Sequence, residues 1–392
     1  MDSLYVAWRY VSYNKGKTAT IVACVTLIAF LPLALQLLLG ESERQLLSRA
    51  STTPLVIGAR GSSLDLVMNS LYFGDEVPEF IDMEAAERVW NSDLAVAIPL
   101  YVRFKARGFP IVGTTLDYFD FRGLQVVEGR PLALLGDCVV GAAAAEELGL
   151  ETGGDLISSP ETLFDIAGIY PLKMRVAGIL ERTHTSDDLA VFVDLKTAWV
   201  IQGLGHGHED VTKTEDSSVI LKKTGSNVAA NAKLLHYMEI TDDNVDSFHF
   251  HGDLTTYPIT AVMAVPNDEK SGTILRGRYL SKEEPYQIVR PEEVIDGLLQ
   301  NIFRIKNVLD AVILVVGGAT LLAVILVFAL SLRLRQRELR TIFKIGCRRM
   351  TVARLLGAEI LIVAAVSGAI CLVLTLAVDQ SAHGLVRMLF IR

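Results

Sequence analysis

TATIVACVTLIAFLPLALQLLLG, residues 18–40, runs 23 positions between Lys17 and Glu41 without an ionisable side chain. Two later stretches repeat the pattern: AVILVVGGATLLAVILVFALSL at 311–332, and ILIVAAVSGAICLVLTLAV at 360–378. At ~1.5 Å of rise per helical residue, roughly 20 apolar residues cross the ~30 Å hydrocarbon core of a bilayer. All three runs therefore read as membrane spans. The first is not a cleavable signal. Its apolar part exceeds the ~7–15 residues of a signal core, no small-x-small site follows, and Leu46, Leu47 and Ala50 carry the helix onward. Pro32 removes one backbone donor inside that span and predicts a kink.

Basic residues orient the spans. Residues 1–17 carry Arg9, Lys15 and Lys17 against Asp2, and 333–358 carries eight arginines and lysines against Glu338 alone. Both segments are expected on the cytoplasmic side. Setting aside 1–17 (+2), 306–358 (+7) and 359–392 (0) from the net charge of −8 leaves −17 on 18–305. The large segment between spans one and two is thus acidic and extracytoplasmic. An acidic chain with 51% hydrophobic residues is neither disordered nor built to bind nucleic acid. Of four cysteines only Cys138 falls outside, so no disulfide within one chain can staple the outer domain.

The expected division is 1–17, an amphipathic N-terminal helix with Leu4, Ala7, Trp8 and Val11 on one face; 18–40, span one; 41–305, an outer domain with stalk helices; 306–332, span two; 333–358, a cytoplasmic loop; 359–378, span three; and 379–392, an outer tail too short and too charged to cross again. The outer region alternates apolar strands (54–58, 95–98, 111–113, 138–141, 174–180, 189–193) with helices (82–90, 141–148, 195–201, 227–238), an α+β pattern. Ile295, Leu298, Ile302, Ile305 and Leu309 step by 3, 4, 3 and 4, a heptad seam that leads into span two and predicts one helix over 294–332. The fold class is an α+β membrane protein with three transmembrane helices and a large domain inserted between the first two.

The cytoplasmic loop is the segment richest in pattern. Leu339, Ile342, Phe343 and Ile345 form an apolar face beside Arg337, Arg340 and Lys344, and Gly346 stands where a helix would end. A short amphipathic helix cannot bury that face alone and needs a membrane surface or a partner's groove. The string R-x-R-E-L-x-T-I-x-K-I-G-x-x-R-x-x-V-x-x-L-L-x-x-E, from Arg335 to Glu359, resembles the loop after the second span in the FtsX-like/MacB-like permease subunits of ATP-binding-cassette transporters. IVGTTLDYFDFRGLQVVEGRPL (111–132), VVGAAAAEELGLETGGDL (139–156) and FDIAGIYPLKMRVAGIL (164–180) are similar to the outer domain of the same family. The family usually has four spans, where this chain shows three. The resemblance implies a MacB-like periplasmic domain and a separate cytoplasmic ATPase holding ATP and magnesium, with no cofactor in this chain. It further implies a permease homodimer in the inner (plasma) membrane, in contact with lipid and with a possible soluble outer partner. Arg337, Glu338, Leu339, Arg340, Ile342, Phe343, Lys344, Ile345 and Gly346 become the ATPase-coupling residues. The function it implies is transmission of ATP-driven motion to the outer domain for export or extraction of a substrate. The alternatives are a signal transmitter activating an outer partner such as a cell-wall hydrolase, and metal-linked (zinc) transport.

No catalytic constellation accompanies this pattern. Gly16-Lys17-Thr18 mimics the end of a P-loop, but Val11 stands where its first glycine belongs. G-x-S-x-G and H-E-x-x-H are absent, Asp187-Asp188 and Asp242-Asp243 read as exposed loop charge, and Arg60 and Arg103/Arg107 are candidates to bind an anion, with plain surface charge as the commoner reading. His206-Gly207-His208 and His249-Phe250-His251 are H-x-H pairs, which on an extended strand put two imidazoles on one side, as zinc requires; a solvated surface is the plainer reading.

Overall fold

The computed structural model describes residues 2–160, 171–207, 220–224, 227–230, 238–241, 243–281, 283–334 and 349–390. The chain forms two compact units, Leu47–Asp296 and Met1–Leu46 with Gly297–Phe390.

The unit Leu47–Asp296 is an α+β domain on an 11-stranded mixed sheet. Its spatial order is Met238–Glu239, Leu172–Leu180, Asp137–Val140, Val191–Asp194, Phe109–Thr114, Ala95–Ala106, Ala261–Pro266, Leu55–Ala59 and Tyr286–Val289, with Val126–Gly129 and Asp155–Ile157 also paired to Leu172–Leu180. The inner strands are apolar runs: Asp137–Val140 is buried at every position, as a sheet covered on both faces demands. Phe109–Thr114 pairs in parallel with Val191–Asp194, and Asp137–Val140 with Leu172–Leu180. Helices cover the sheet. Ser63–Tyr72 starts where Ser62 Oγ accepts from the Asp65 amide at 3.1 Å, and it buries Leu66, Val67 and Leu71. Leu195–Ile201 starts where Asp194 accepts from the Lys196 amide at 2.9 Å, and its Trp199 indole donates to Pro258 O at 2.8 Å. Such N-caps satisfy donors that the first turn of a helix cannot. Gly141 ends the Asp137–Val140 strand. A Cβ there would overlap the carbonyl oxygens of Asp187 and Asp188, so only glycine lets the two segments approach.

Most predicted elements stand within two or three residues of their expected bounds, and 195–201 coincides with its helix. The strand expected at 95–98 extends much further, to Ala106. The helix expected over 227–238 is replaced by strand at its described residues, 227–230 and 238. Asn227–Ala230 is a strand paired antiparallel to Ile220–Thr224, and Met238–Glu239 is an edge strand of the main sheet. Thr224 is paired with Asn227, and this strand pairing overrides local helical spacing.

The other unit consists of helices Asp2–Tyr13, Lys15–Ser51 as far as Leu46, Pro291–Leu334 from Gly297, and Arg349–Phe390. Among the described residues, Lys15–Ser51 and Ala353–Gln380 are long and apolar enough to cross a membrane, with mean hydropathy 2.5 and 2.7. The run at 311–332 lies within Pro291–Leu334, where the apolar helix traced through described residues is Asp310–Ala323. Leu361 and Val373 are 63% and 65% exposed, and Leu314 is 77% exposed. A soluble helix hides its large apolar residues, whereas lipid accepts them. The first helix buries Ala7 against Ala358 and Ile362 while Leu4, Tyr5 and Trp8 stay exposed. Ser367 donates to Val22 O at 3.4 Å, and a Cβ on Gly317 would touch Ile28, so small residues allow these helices to approach closely. The last helix continues past Val378 to Phe390, so most of the expected 379–392 tail is helical.

Candidate functional site

The long helix Lys15–Ser51 ends in the outer domain on a charge. Arg49 and Ala50, in the last turn of the helix, and Thr53, just beyond it, are all buried. Arg49 NH1 donates to Asp187 Oδ2 at 2.6 Å and NH2 to Asp187 Oδ1 at 2.8 Å, a bidentate pair whose side chains are 6% and 3% exposed. NH2 also donates to Tyr118 OH at 2.7 Å, and the Tyr118 hydroxyl donates to Asp187 Oδ1 at 2.7 Å. The guanidinium sits over the Phe73 ring at 5.4 Å. Three elements thus meet on one carboxylate: the helix end, the helix Leu116–Arg122, and the 3-10 turn Ser186–Leu189.

A second arginine borders the cluster. Arg122 NH2 donates to Thr53 Oγ1 at 2.8 Å, and its guanidinium lies over Phe121 at 4.9 Å and Tyr118 at 5.9 Å. Thr53 Oγ1 itself donates to Arg49 O at 2.9 Å, so the two residues beyond the helix are tied back to it. Burial opposes the charge of Arg49, but the adjacent Asp187 outweighs it and raises the guanidinium above its ordinary value. Burial likewise opposes the carboxylate of Asp187, and Arg49, with the hydrogen bonds from Arg49 and Tyr118, overrides that and holds it low. Burial raises Tyr118 despite the nearby cations. Burial and the like charge of Arg49 lower Arg122. At neutral pH the pair is fully ionised and the phenol neutral.

This site was not visible in the sequence. The expectation that Asp187-Asp188 is exposed loop charge is incorrect: the two residues are 2% and 1% exposed. Asp188 accepts from the Thr183 and His184 amides at 2.8 and 2.9 Å, which folds the 183–188 turn and aims Asp187 inward. The local signal was Arg49 itself, a lone cation on the apolar face of a helix. Arg60 is no anion site either, since it donates to the carbonyl oxygens of Tyr279, Ser281 and Glu284. Gly16-Lys17-Thr18 lies inside a helix rather than on a phosphate-binding turn.

The coupling residues Arg337, Glu338, Leu339, Arg340, Ile342, Phe343, Lys344, Ile345 and Gly346 lie outside the described residues, as do His208 and Asp242. His206 stands in the strand Gly205–Gly207, paired antiparallel to Phe248–Phe250 with His206 opposite His249. The His249 and His251 rings are 4.7 Å apart.

Residues 21–236, more than half of the chain, match the family model described as the MacB-like periplasmic core domain. No curated protein matches. Among solved structures, the chain is similar to the periplasmic region of MacB from Actinobacillus actinomycetemcomitans, at 12% identity over 63% of this chain and 92% of that one, with a TM-score of 0.35. It is also similar to the extracellular domain of the noncanonic ABC-type transporter YknZ from Gram-positive bacteria, at 12% identity over 60% and 98%, TM-score 0.33. A third is a domain of a putative permease protein from Porphyromonas gingivalis, at 12% identity over 60% and 84%, TM-score 0.27. By its family match the chain belongs to the FtsX/MacB-like permeases of ATP-binding-cassette systems, with a MacB-like periplasmic core domain as its outer unit.

Proposed function

We propose that this permease passes ATP-driven motion from a separate cytoplasmic ATPase to its outer domain, rather than conducting a solute through its spans. The supporting observation lies at the end of the helix Lys15–Ser51, whose last turn is clamped to Asp187 by Arg49. A helix transmits displacement only if its far end cannot swivel, and a bidentate pair fixes direction as well as distance. The three apolar runs carry no ionisable group to line a water-filled path. On this reading the chain crosses the inner membrane three times, the apolar face of Leu339, Ile342, Phe343 and Ile345 seats in the ATPase, and two copies of the permease act together.

The test is to purify the full chain from native membranes with its bound ATPase and measure ATP turnover. Phe343→Asp should lose the companion while remaining in the membrane. Recovery of no nucleotide-hydrolysing companion, or unchanged turnover in Phe343→Asp, refutes the reading.

A further inference from the structure

Two parallel neighbours, Phe109–Thr114 and Val191–Asp194, end side by side, with Thr114 opposite Asp194 in the register. Each leads directly into a helix, Leu116–Arg122 and Leu195–Ile201 respectively. The two helices go to opposite faces of the sheet. Phe192 meets Tyr118 and Phe119 of the first helix at 5.5 and 5.3 Å between ring centroids. Side chains alternate along a strand, so Val193, and Gly113 paired with it, face the other way. A Cβ on Gly113 would come within 2.7 Å of Ala198, which places the second helix on that other face. Where neighbouring parallel strands send their helices to opposite faces, a crevice opens at the carboxyl ends of the strands, and open α/β sheets bind ligands there. A cleft of about 420 Å³ lies at this point, lined among others by Thr114, Leu116, Leu132, Leu134, Asp194 and Lys196. Its volume falls in the ~300–1,000 Å³ range of small-molecule sites. The loop that forms one wall is tied down: the Gly136 amide donates to Thr197 Oγ1 at 3.0 Å, and the Leu134 amide to Asp137 Oδ2 at 2.9 Å. The cleft is therefore preformed.

We propose that this cleft binds an α-amino acid with an apolar side chain, its ammonium on Asp194, its carboxylate on Lys196, and its apolar body against Leu116, Leu132 and Leu134. The wall offers one carboxylate and one ammonium, two positions apart in the chain, and neither forms an ion pair among the described residues. Asp194 Oδ1 accepts from the Lys196 amide at 2.9 Å, while Oδ2 accepts no hydrogen bond among the described residues. That amide is thereby used up, and the Thr114 hydroxyl already donates to Pro99 O at 3.0 Å, so the charged side chains carry the recognition. Burial raises the Asp194 carboxyl above its ordinary value, against the pull of the Lys196 amide and ammonium. A bound ammonium would add the counter-charge that the fold itself supplies only in part. Leu116 and Leu134 are 53% and 46% exposed and leave apolar surface uncovered beside these charges. A ligand with a single charge would desolvate the other wall group without pairing it, and one without an apolar body would leave the leucines wet. The inference concerns the outer domain alone and does not rest on the ATPase reading.

The test is equilibrium dialysis of the full chain in detergent against L-leucine, with leucinamide and isocaproate as probes that lack the carboxylate and the ammonium respectively. One L-leucine per chain is expected, with each single-charge probe about 10–100-fold weaker, as the loss of one hydrogen bond to a charged group costs. Asp194→Asn should weaken leucine and leucinamide by a similar factor and leave isocaproate unchanged. Lys196→Met should weaken leucine and isocaproate and leave leucinamide unchanged. Asparagine still accepts from the Lys196 amide, so the start of the helix is kept, and an unfolding temperature close to wild type verifies it. Lys196 is exposed, and its replacement leaves the fold intact. No stoichiometric uptake of L-leucine, leucinamide binding as tightly as leucine, or unaltered leucine affinity in the Asp194→Asn/Lys196→Met double variant overturns the proposal.

Discussion

Replacing Asp187 by Asn keeps the side-chain volume and removes only the charge. In the native domain this carboxylate is 3% exposed and accepts from both terminal nitrogens of Arg49 and from Tyr118. The variant leaves an arginine 6% exposed without its counter-charge. Breaking a buried pair from one side costs about 3–5 kcal/mol, because the surviving charge stays desolvated. In a domain of this size each kcal/mol moves the midpoint by about 2–4 °C, so the fall in Tm should be about 6–20 °C. Thermal unfolding of the full chain in detergent, followed by tryptophan fluorescence from Trp90 and Trp199, measures it. The pH dependence provides a second readout. Asp187 is held below its ordinary value of 3.8, so the stability it contributes is complete above that value and is lost as pH falls through the folded-state value. Wild type should therefore lose stability on acidification below about pH 4, and Asp187→Asn should lose less over the same window. A Tm within about 1 °C of wild type, or an unaltered acid limb, refutes the assignment of Asp187 as the fixed end of the helix.

Gly141→Ala should destabilise by about 1–3 kcal/mol or more, read by the same unfolding assay, because the added Cβ meets the backbone of the turn that carries Asp187 rather than a yielding side chain. If the variant melts with wild type, that turn is free to move and cannot anchor a helix. Cys138 is fully buried, and burial, then Asp137, raises its thiol above the ordinary value. It should resist a maleimide at pH 7–8 in the native protein and react after denaturation, as mass spectrometry of the labelled peptide would show. Rapid native labelling would contradict the packing of the Asp137–Val140 strand.

What the sequence disclosed and what it hid follow from range. A buried strand such as 138–141, or a helix such as 195–201, announces itself within a few residues, because apolar side chains and caps are local. The three uncharged runs are legible for the same reason. The apolar spacing at 339–345 is equally local, and the coupling role proposed for it comes from resemblance. Arg49 and Asp187 are 138 positions apart, and no periodicity links them. The pairing of His206 with His249 likewise depends on a strand register that only the folded chain defines. Residues 227–230 show the reverse failure, where local spacing suggested a helix and the partner strand decided otherwise.

The energetics of the Arg49 site argue that it serves position more than stability. Two well-packed apolar residues in place of a buried ion pair are often neutral or stabilising by about 1–4 kcal/mol. Arg49 Nε and Arg122 Nε are also buried with no hydrogen-bond partner among the described residues, each at a cost of about 1–3 kcal/mol. A domain that needed only to be stable would do better with leucine or methionine there. An apolar contact, however, is non-directional, whereas the guanidinium fork accepts one orientation of the carboxylate. The double variant Arg49→Met/Asp187→Leu separates the two roles. It should recover most or all of the Tm lost by Asp187→Asn, and under the proposed mechanism it should hydrolyse ATP with its companion while failing to drive movement of the outer domain. Restored stability together with intact outer movement, followed by fluorophores placed on the exposed positions Asp75 and Glu128 of the outer domain, would show that any firm packing at the helix end suffices and that the charge is dispensable.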